Sequence, residues 1–224
     1  MIECLKVSNL LDLSETDFHQ IFEGVDHPWE ILSKIGEFIK KTAPSLPDSY
    51  RMIRKDVWVG EDTVIADTAF IEGPAIIGCN SEIRHNAFIR GKVIIGDNCV
   101  IGNATEVKNS FLFNNVQAPH FNYVGDSIMG YRSHIGAGVI LSNVKSIPGN
   151  VTVRVDGKLL ETGLRKFSAV LGDYTEVGCN SVLNPGTILG RKTIVYPLTS
   201  ARGFIPENHI LKNDGTLRNM SVKK

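Results

Sequence analysis

The chain has 224 residues, 42% of them hydrophobic and 8% aromatic, enough for one elongated domain with a real core and small appendages and too few for a second large domain. Its 24 basic and 24 acidic side chains cancel, which removes the electrostatic footprint expected of a nucleic-acid or anionic-membrane binder. The N-terminus, Met1-Ile2-Glu3-Cys4-Leu5-Lys6, has no basic segment leading into an apolar one, and no stretch approaches a membrane span, so a cytoplasmic protein is expected.

Residues 1–46 show helical spacing. A helix is predicted to open at Asp26-His27-Pro28-Trp29-Glu30 and run to about Lys41, capped by Asp26 or His27, with Pro28 suited to the first turn. Thr42-Ala43-Pro44-Ser45-Leu46-Pro47-Asp48 ends it and forms a linker into the repeat region. This arm reads as a cap or an oligomer contact.

From Val59 every sixth residue is apolar: Ile65, Ile71, Ile77, Ile83, Ile89, Ile95, Ile101, Val107 and Phe113. Four places on within each six stand mostly small residues, Thr63, Ala69, Ala75, Ser81, Ala87, Val93, Cys99 and Thr105, until Phe111 and Gln117. A short fixed repeat builds a solenoid, because each unit is one strand and a turn and only stacked units share a core. Three sixes form one triangular coil, so residues 18 apart in sequence stack at about the 4.8 Å spacing of paired strands. The fold class is therefore an all-β solenoid, a parallel β-helix of hexapeptide repeats spanning residues 47–201. A phase slip is predicted between Pro119 and Met129, after which Met129, Ile135 and Leu141 resume the count. Residues 142–168 leave the register, and Val151-Thr152-Val153-Arg154-Val155-Asp156-Gly157 reads as the start of a hairpin in an ejected loop. The count returns with Leu171, Val177, Leu183, Leu189 and Val195. Residues 202–224 form a tail expected to pack loosely, with its last residues frayed. Cys4, Cys79, Cys99 and Cys179 lack paired metal-ligand spacing and read as free thiols, Cys99 facing inward.

The 18-residue map stacks Arg90 on Lys108, two like charges that together invite an anion, although taken alone such a pair equally suits solvated surface. Glu106 lies on the same side of the strand as Lys108. His120, Asn122 and Tyr123 stand at the slip, and Asn143 at the mouth of the ejected loop. Irregular backbone and polar side chains coincide there.

The segments Ile101-Gly102-Asn103-Ala104-Thr105-Glu106-Val107-Lys108-Asn109, Pro119-His120-Phe121-Asn122-Tyr123-Val124-Gly125-Asp126 and Ile135-Gly136-Ala137-Gly138 resemble the acetyltransferase domain of N-acetylglucosamine-1-phosphate uridyltransferase. They are closer still to the C-terminal domain of the archaeal bifunctional sugar-1-phosphate nucleotidylyltransferases that also acetylate amino sugars. The similarity covers about residues 57–201, with Gly163-Leu164-Arg165-Lys166 and Tyr196-Pro197, and Pro28-Trp29-Glu30 resembles the segment preceding those domains. The glycine-rich nucleotide loop of uridylyl transfer is not in this chain. The resemblance implies a left-handed helix, a homotrimer with a site at each interface, and acetyl-CoA as co-substrate with no metal. It implies His120 as general base, Glu106 holding that base, and Arg90, Lys108 and Tyr123 gripping the phosphate of an amino-sugar phosphate. Asn143 would line the acceptor pocket with a catalytic role, beside Asn122. Coenzyme A would lie along the coil edge at Gly136, Ala137, Cys179 and Pro197. A separate nucleotidyltransferase subunit is a candidate partner; nucleic acid and membrane are not.

Two lysines of the archaeal enzymes' loop are replaced here by Gly149 and Thr152, with Lys145 the cation at hand. Two rival readings remain open. One is a zinc carbonic anhydrase using His85, His120 and His134, although Gly125 stands where the third histidine of that arrangement is expected. The other is a non-catalytic assembly or regulatory module that binds no acetyl-CoA.

Overall fold

A computed structural model describes residues 2–220. The repeat folds as expected into a prism of three parallel sheets. The first runs from the strand at Val57–Gly60 to Phe204–Ile205, the second from Val64–Ile65 to His209–Leu211, and the third from Phe70–Glu72 to Ser200–Ala201. Ladder pairs such as Val59 with Ile77, Ile65 with Ile83 and Ile71 with Ile89 are 18 apart, as counted. Ile77, Ile83, Ile95, Ile101 and Val107 are wholly buried, so each coil contributes one large residue per face to a core continuous along the axis. Three corners separate the sheets. The corner between first and second is turned by left-handed residues including Asn80, Asn98 and Asn115, a conformation that asparagine tolerates better than most side chains.

The slip comes twice, once at Asp126 within the predicted window and once earlier, at Asn109. Ile95 pairs with Leu112, not Phe113, and Val107 with Val124, so this coil has 17 residues. The corner at Asn109 is one residue short, and the corner at Asp126 repeats the shortening, so that Met129 stands opposite Leu112. Phe113 is apolar for another reason: with Phe111 it packs against Phe22 of the arm, at ring-centroid distances of 5.8 and 5.3 Å.

The arm differs from expectation in form and place. The predicted single helix is two pieces, a tight turn at Pro28–Ile31 and an α-helix at Ile35–Thr42. The backbone N–H of His27 donates to Glu30 Oε1 at 2.9 Å, as a helix-opening box requires. Before these two pieces come a four-residue α-helix at Val7–Leu10 and short 3-10 turns at Glu3–Leu5, Leu13–Glu15 and His19–Phe22. The arm lies over the outward face of the first sheet, where Ile76, Ile94, Phe111, Ile128, Val170 and Ile188 would otherwise meet water; all six are buried. It is thus part of this chain's own core. Asp173, 2% exposed, clasps it to the solenoid by accepting from the Asp12 and Tyr131 backbone N–H groups at 2.8 and 2.9 Å, with Arg191 Nε 3.3 Å away. Burial outweighs these partners and pushes the Asp173 carboxyl up to about 6.

The loop at 142–168 does contain the predicted hairpin, Thr152–Val155 paired with Lys158–Glu161 across Asp156 and Gly157, both at positive φ. It is not thrown clear of the prism. Val151, Val153, Val155 and Phe167 are buried, Phe167 lies against Trp29, and the Thr152 and Arg154 carbonyls press on Gly186 and Gly203, where a Cβ would stand 2.3 and 2.8 Å from them. The tail is likewise more regular than expected. The solenoid continues past residue 201 through Phe204–Ile205 and His209–Leu211, and Leu217–Asn219 closes the second sheet as an antiparallel edge. The expected fraying concerns residues beyond those described. Among the described residues no helix is long and apolar enough to cross a membrane.

Candidate active site

The residues singled out in the sequence fall into two groups on neighbouring edges of the prism. The first occupies the corner between the second and third sheets. There the backbone of each coil bonds to the next: Phe121 N–H to the Asn103 carbonyl at 2.8 Å, Gly138 N–H to His120 at 3.0 Å, Asn180 N–H to Ala137 at 2.8 Å and Leu198 N–H to Cys179 at 3.0 Å. This ladder places His120, Ala137 and Cys179 in one column along the edge, with Pro197 beside Leu198 at its far end. Gly136 packs beneath Cys179, where a Cβ would lie 2.9 Å from the Cys179 backbone nitrogen and sulfur. His120 is exposed at the end of its strand, and its ring has no hydrogen-bond partner among the described residues. The next residue, Phe121, is 60% exposed and held at φ +52°, a strained conformation for an aromatic side chain.

Asn122 belongs to the corner's interior. It is 3% exposed; its Oδ1 accepts from the His120 N–H at 3.1 Å, its Nδ2 donates to the Gly136 carbonyl at 2.7 Å, and its own N–H donates to Thr105 Oγ1 at 3.2 Å. This amide's hydrogen bonds are spent on the turn that carries His120.

The second group lies on the third sheet and its far corner. The register sets Glu106 beside Tyr123, and Val107 beside Ile89, so Arg90 and Lys108 occupy equivalent places on successive coils, as the 18-residue map required. Each cation nevertheless has its own carboxylate: Arg90 donates to Glu106 Oε1 at 2.6 Å and Lys108 to Asp126 Oδ2 at 3.1 Å. Glu106 therefore holds Arg90, and no hydrogen bond joins it to His120 among the described residues. The Arg90 guanidinium, raised further by its bond to Glu106, also stands 5.7 Å over the Phe88 ring. Tyr123 lies back along its own strand over Gly125, where a Cβ would come 2.5 Å from the phenol oxygen.

Asp126, which no motif marked for a role, is the hub of the far corner. Only 4% exposed, it accepts from Lys108, from Asn109 Nδ2 at 2.7 Å and from Asn143 Nδ2, while its carbonyl takes the Ser168 N–H at 3.0 Å. Asn143 in turn accepts the Phe167 N–H at 3.1 Å, so the two roots of the inserted loop are tied together at this aspartate. The predicted pocket-lining Asn143 is thus anchored in the loop's base. Lys145, the replacement cation, is bound within the loop to the Asn150 carbonyl at 2.8 Å.

The histidines of the zinc reading do not converge within this chain: His85 Nδ1 meets Thr68 Oγ1 at 3.1 Å and His134 Nδ1 meets Glu176 Oε2 at 2.7 Å. Among the described residues no group of three His, Cys, Asp or Glu side chains is placed to hold a metal ion.

Stacked hexapeptide coils, a polar column along one corner and an ion-paired patch on the adjoining face define the class as a hexapeptide-repeat β-solenoid. Within that class the chain belongs to the family described as the GMPPB C-terminal domain, which matches residues 71–202, more than half of its length. It is 32% identical over 177 residues to a "Bifunctional protein GlmU" of Methanococcus maripaludis, covering 78% of this chain and 43% of that protein. It is 35% identical over 97 residues to a "Bifunctional sugar-1-phosphate nucleotidylyltransferase/acetyltransferase" of Sulfurisphaera tokodaii, covering 43% of this chain and 24% of that one. The chain thus spans less than half the length of these curated relatives. Among solved structures, AntD, an N-acyltransferase of Bacillus cereus crystallised with dTDP and coenzyme A, shares 16% identity at a TM-score of 0.37 over 80% of this chain and 92% of that chain.

Proposed function

We propose that this chain is an N-acetyltransferase that moves an acetyl group from acetyl-CoA to the amine of an amino-sugar phosphate of the glucosamine-1-phosphate kind, as a soluble, cytoplasmic homotrimer. The observation that carries the reading is the corner column: an exposed imidazole with a free ring sits at one end of an edge built from Gly136, Ala137, Cys179 and Pro197, within a stretch similar to proteins named for nucleotidyl and acetyl transfer.

The chemistry asks one base of the protein. His120 takes the proton as the sugar amine attacks the thioester carbonyl, the C–N bond forms, and the C–S bond breaks as the tetrahedral intermediate collapses, the proton passing from the imidazole to the leaving sulfur. The developing oxyanion needs a donor; along this edge the Gly136 and Gly138 N–H groups are held by the Val177 and His120 carbonyls, which leaves the Ala137 N–H between them for that role. Coenzyme A runs along the corner past Cys179 and Pro197. Arg90, Lys108 and Tyr123 face the acceptor, the first two exchanging their carboxylates for its phosphate, while Glu106 and Asn143 act through Arg90 and Asp126. The third sheet's outward face, with Phe70 and Ile140 exposed, is the face that meets a neighbouring subunit in the trimer. A separate nucleotidyltransferase subunit would supply the activity that the longer relatives carry in their names.

A second reading, a non-catalytic assembly module, is favoured by one observation: Lys108, Arg90 and Lys145 are all engaged within the chain, and Gly149 and Thr152 bring no cation. Incubating the purified protein with acetyl-CoA and a panel of amino-sugar 1-phosphates, and analysing the sugars by mass spectrometry, separates the two. An acetylated sugar supports the enzyme. No product, with no binding of acetyl-CoA by calorimetry, supports the module.

A further inference from the structure

On the second sheet, at the edge away from His120, lies a groove of about 470 Å³ that the acetyl-transfer reading leaves unused. It crosses three successive coils. The register stacks Gln117, His134 and Glu176, and the adjoining corner adds Asn115, Arg132 and Tyr174, all three at positive φ, which turns them outward beside the strand. His134 Nδ1 lies 2.7 Å from Glu176 Oε2, so the carboxylate fixes the ring, and Nε2 has no hydrogen-bond partner among the described residues. The side chains of Asn115, Gln117, Arg132 and Tyr174 make no hydrogen bond or ion pair among the described residues. Arg132 stands 5.4 Å over the Tyr131 ring, which packs edge-on to Tyr174 at 5.4 Å.

These groups divide into complementary kinds. Arg132 and the ring N–H of His134 suit the oxygens of a phosphate monoester. The two planar amides suit hydroxyls, and the Tyr174 ring offers an aromatic wall to the apolar face of a sugar. The outer faces of the other two sheets offer no second groove of this kind: one is covered by the arm, and the cations of the other, Arg90 and Lys108, already belong to the proposed acceptor site. We propose that this groove is a second site, separate from the acetyl-transfer edge, that binds a sugar phosphate, its phosphate on Arg132 and His134 and its hydroxyls on Asn115 and Gln117.

The test uses the whole protein labelled at its histidines, with the His134 and His120 ring resonances assigned through His134→Gln and His120→Ala. Glucose-1-phosphate, which lacks the reactive amine, is titrated in, with glucose as the uncharged comparison. The expected result is a saturable shift of the His134 resonance with glucose-1-phosphate and none with glucose. In Arg132→Gln the affinity read at His134 falls at least tenfold, and any response at His120 is unchanged. A His134 resonance that stays still, or that responds equally in Arg132→Gln, overturns the site. Because His120 reports the other edge in the same spectra, loss of the acetyl-transfer reading and loss of this site are seen separately.

Discussion

Lys108 and Asp126, one coil apart, meet at 3.1 Å with the carboxylate almost fully buried, and the same carboxylate holds Asn109 and Asn143 at the root of the inserted loop. One side chain thus balances a cation, closes a shortened corner and moors a 27-residue excursion, residues 142–168.

Asp126→Ala leaves Lys108 half-buried without its partner and unties Asn143. Breaking such a pair costs about 3 kcal/mol, to be read as a lower urea midpoint with little change in slope. Limited proteolysis should cleave within 142–168 sooner than in the wild type. Equal midpoints and equal cleavage rates would show that the loop is held elsewhere.

Asn122→Ala removes the donor to the buried Gly136 carbonyl and the acceptor of the His120 N–H. A stability loss of about 2 kcal/mol is expected from the orphaned groups. Since Asn122 acts through His120, turnover should fall while the Michaelis constant for acetyl-CoA stays within twofold. A selective rise in the acceptor's Michaelis constant would instead return Asn122 to direct substrate contact.

Gly125→Ala sets a methyl group where the Tyr123 phenol lies. The clash is with the far end of a rotatable side chain, so little stability should be lost, yet the phenol must swing away from its strand. Thermal midpoints within a few degrees of wild type are expected, together with a raised Michaelis constant for a phosphorylated acceptor. Unchanged kinetics would remove Tyr123 from the acceptor site.

Asp173 makes stability depend on pH. Its folded value, near 6, lies above the ordinary carboxylate value, so the folded chain binds this proton more tightly than the unfolded chain. Its contribution is therefore fullest below about pH 4 and is lost as pH rises through 6, by at most about 3 kcal/mol. Urea unfolding of wild type and Asp173→Asn at pH 4.5 and 6.5 checks the sign. Wild type should gain on the variant at the lower pH, and the reverse trend would mean that Asp12, Tyr131 and Arg191 dominate over burial.

The six-residue count was sufficient for the prism and its 18-residue stacking, because every coil must put one apolar residue on each inner face. The shortened corner at Asn109 was masked, since Leu112 and Phe113 are both apolar and only one faces the core. The small-residue stripe carried the missing signal: it fails at Phe111 and Gln117 and is restored one place earlier by Ser110 and Val116. The stacking of Arg90 on Lys108 was legible for the same reason as the fold. Their carboxylates were less so: Asp126 stands 18 residues from Lys108 and so stacks on it in the count, but neither its orientation nor that of Glu106 toward Arg90 can be read from spacing. The pairing of His134 with Glu176 joins residues 42 apart because the inserted loop intervenes, a distance no repeat count spans unless the loop is first excised. The arm was readable as helical and as a cap or an oligomer contact, but the face it covers was not, since the outward apolar residues of the first sheet hide within runs such as Ala75-Ile76-Ile77 and Val93-Ile94-Ile95 that look like core on either face.

The most direct test of the central claim is thiol release from acetyl-CoA with glucosamine-1-phosphate, comparing wild type with His120→Ala. The account predicts release that requires the amino sugar and falls by about 10²–10⁴-fold in the variant, with the oligomeric mass unchanged. Equal release by the two proteins would take His120 out of the mechanism.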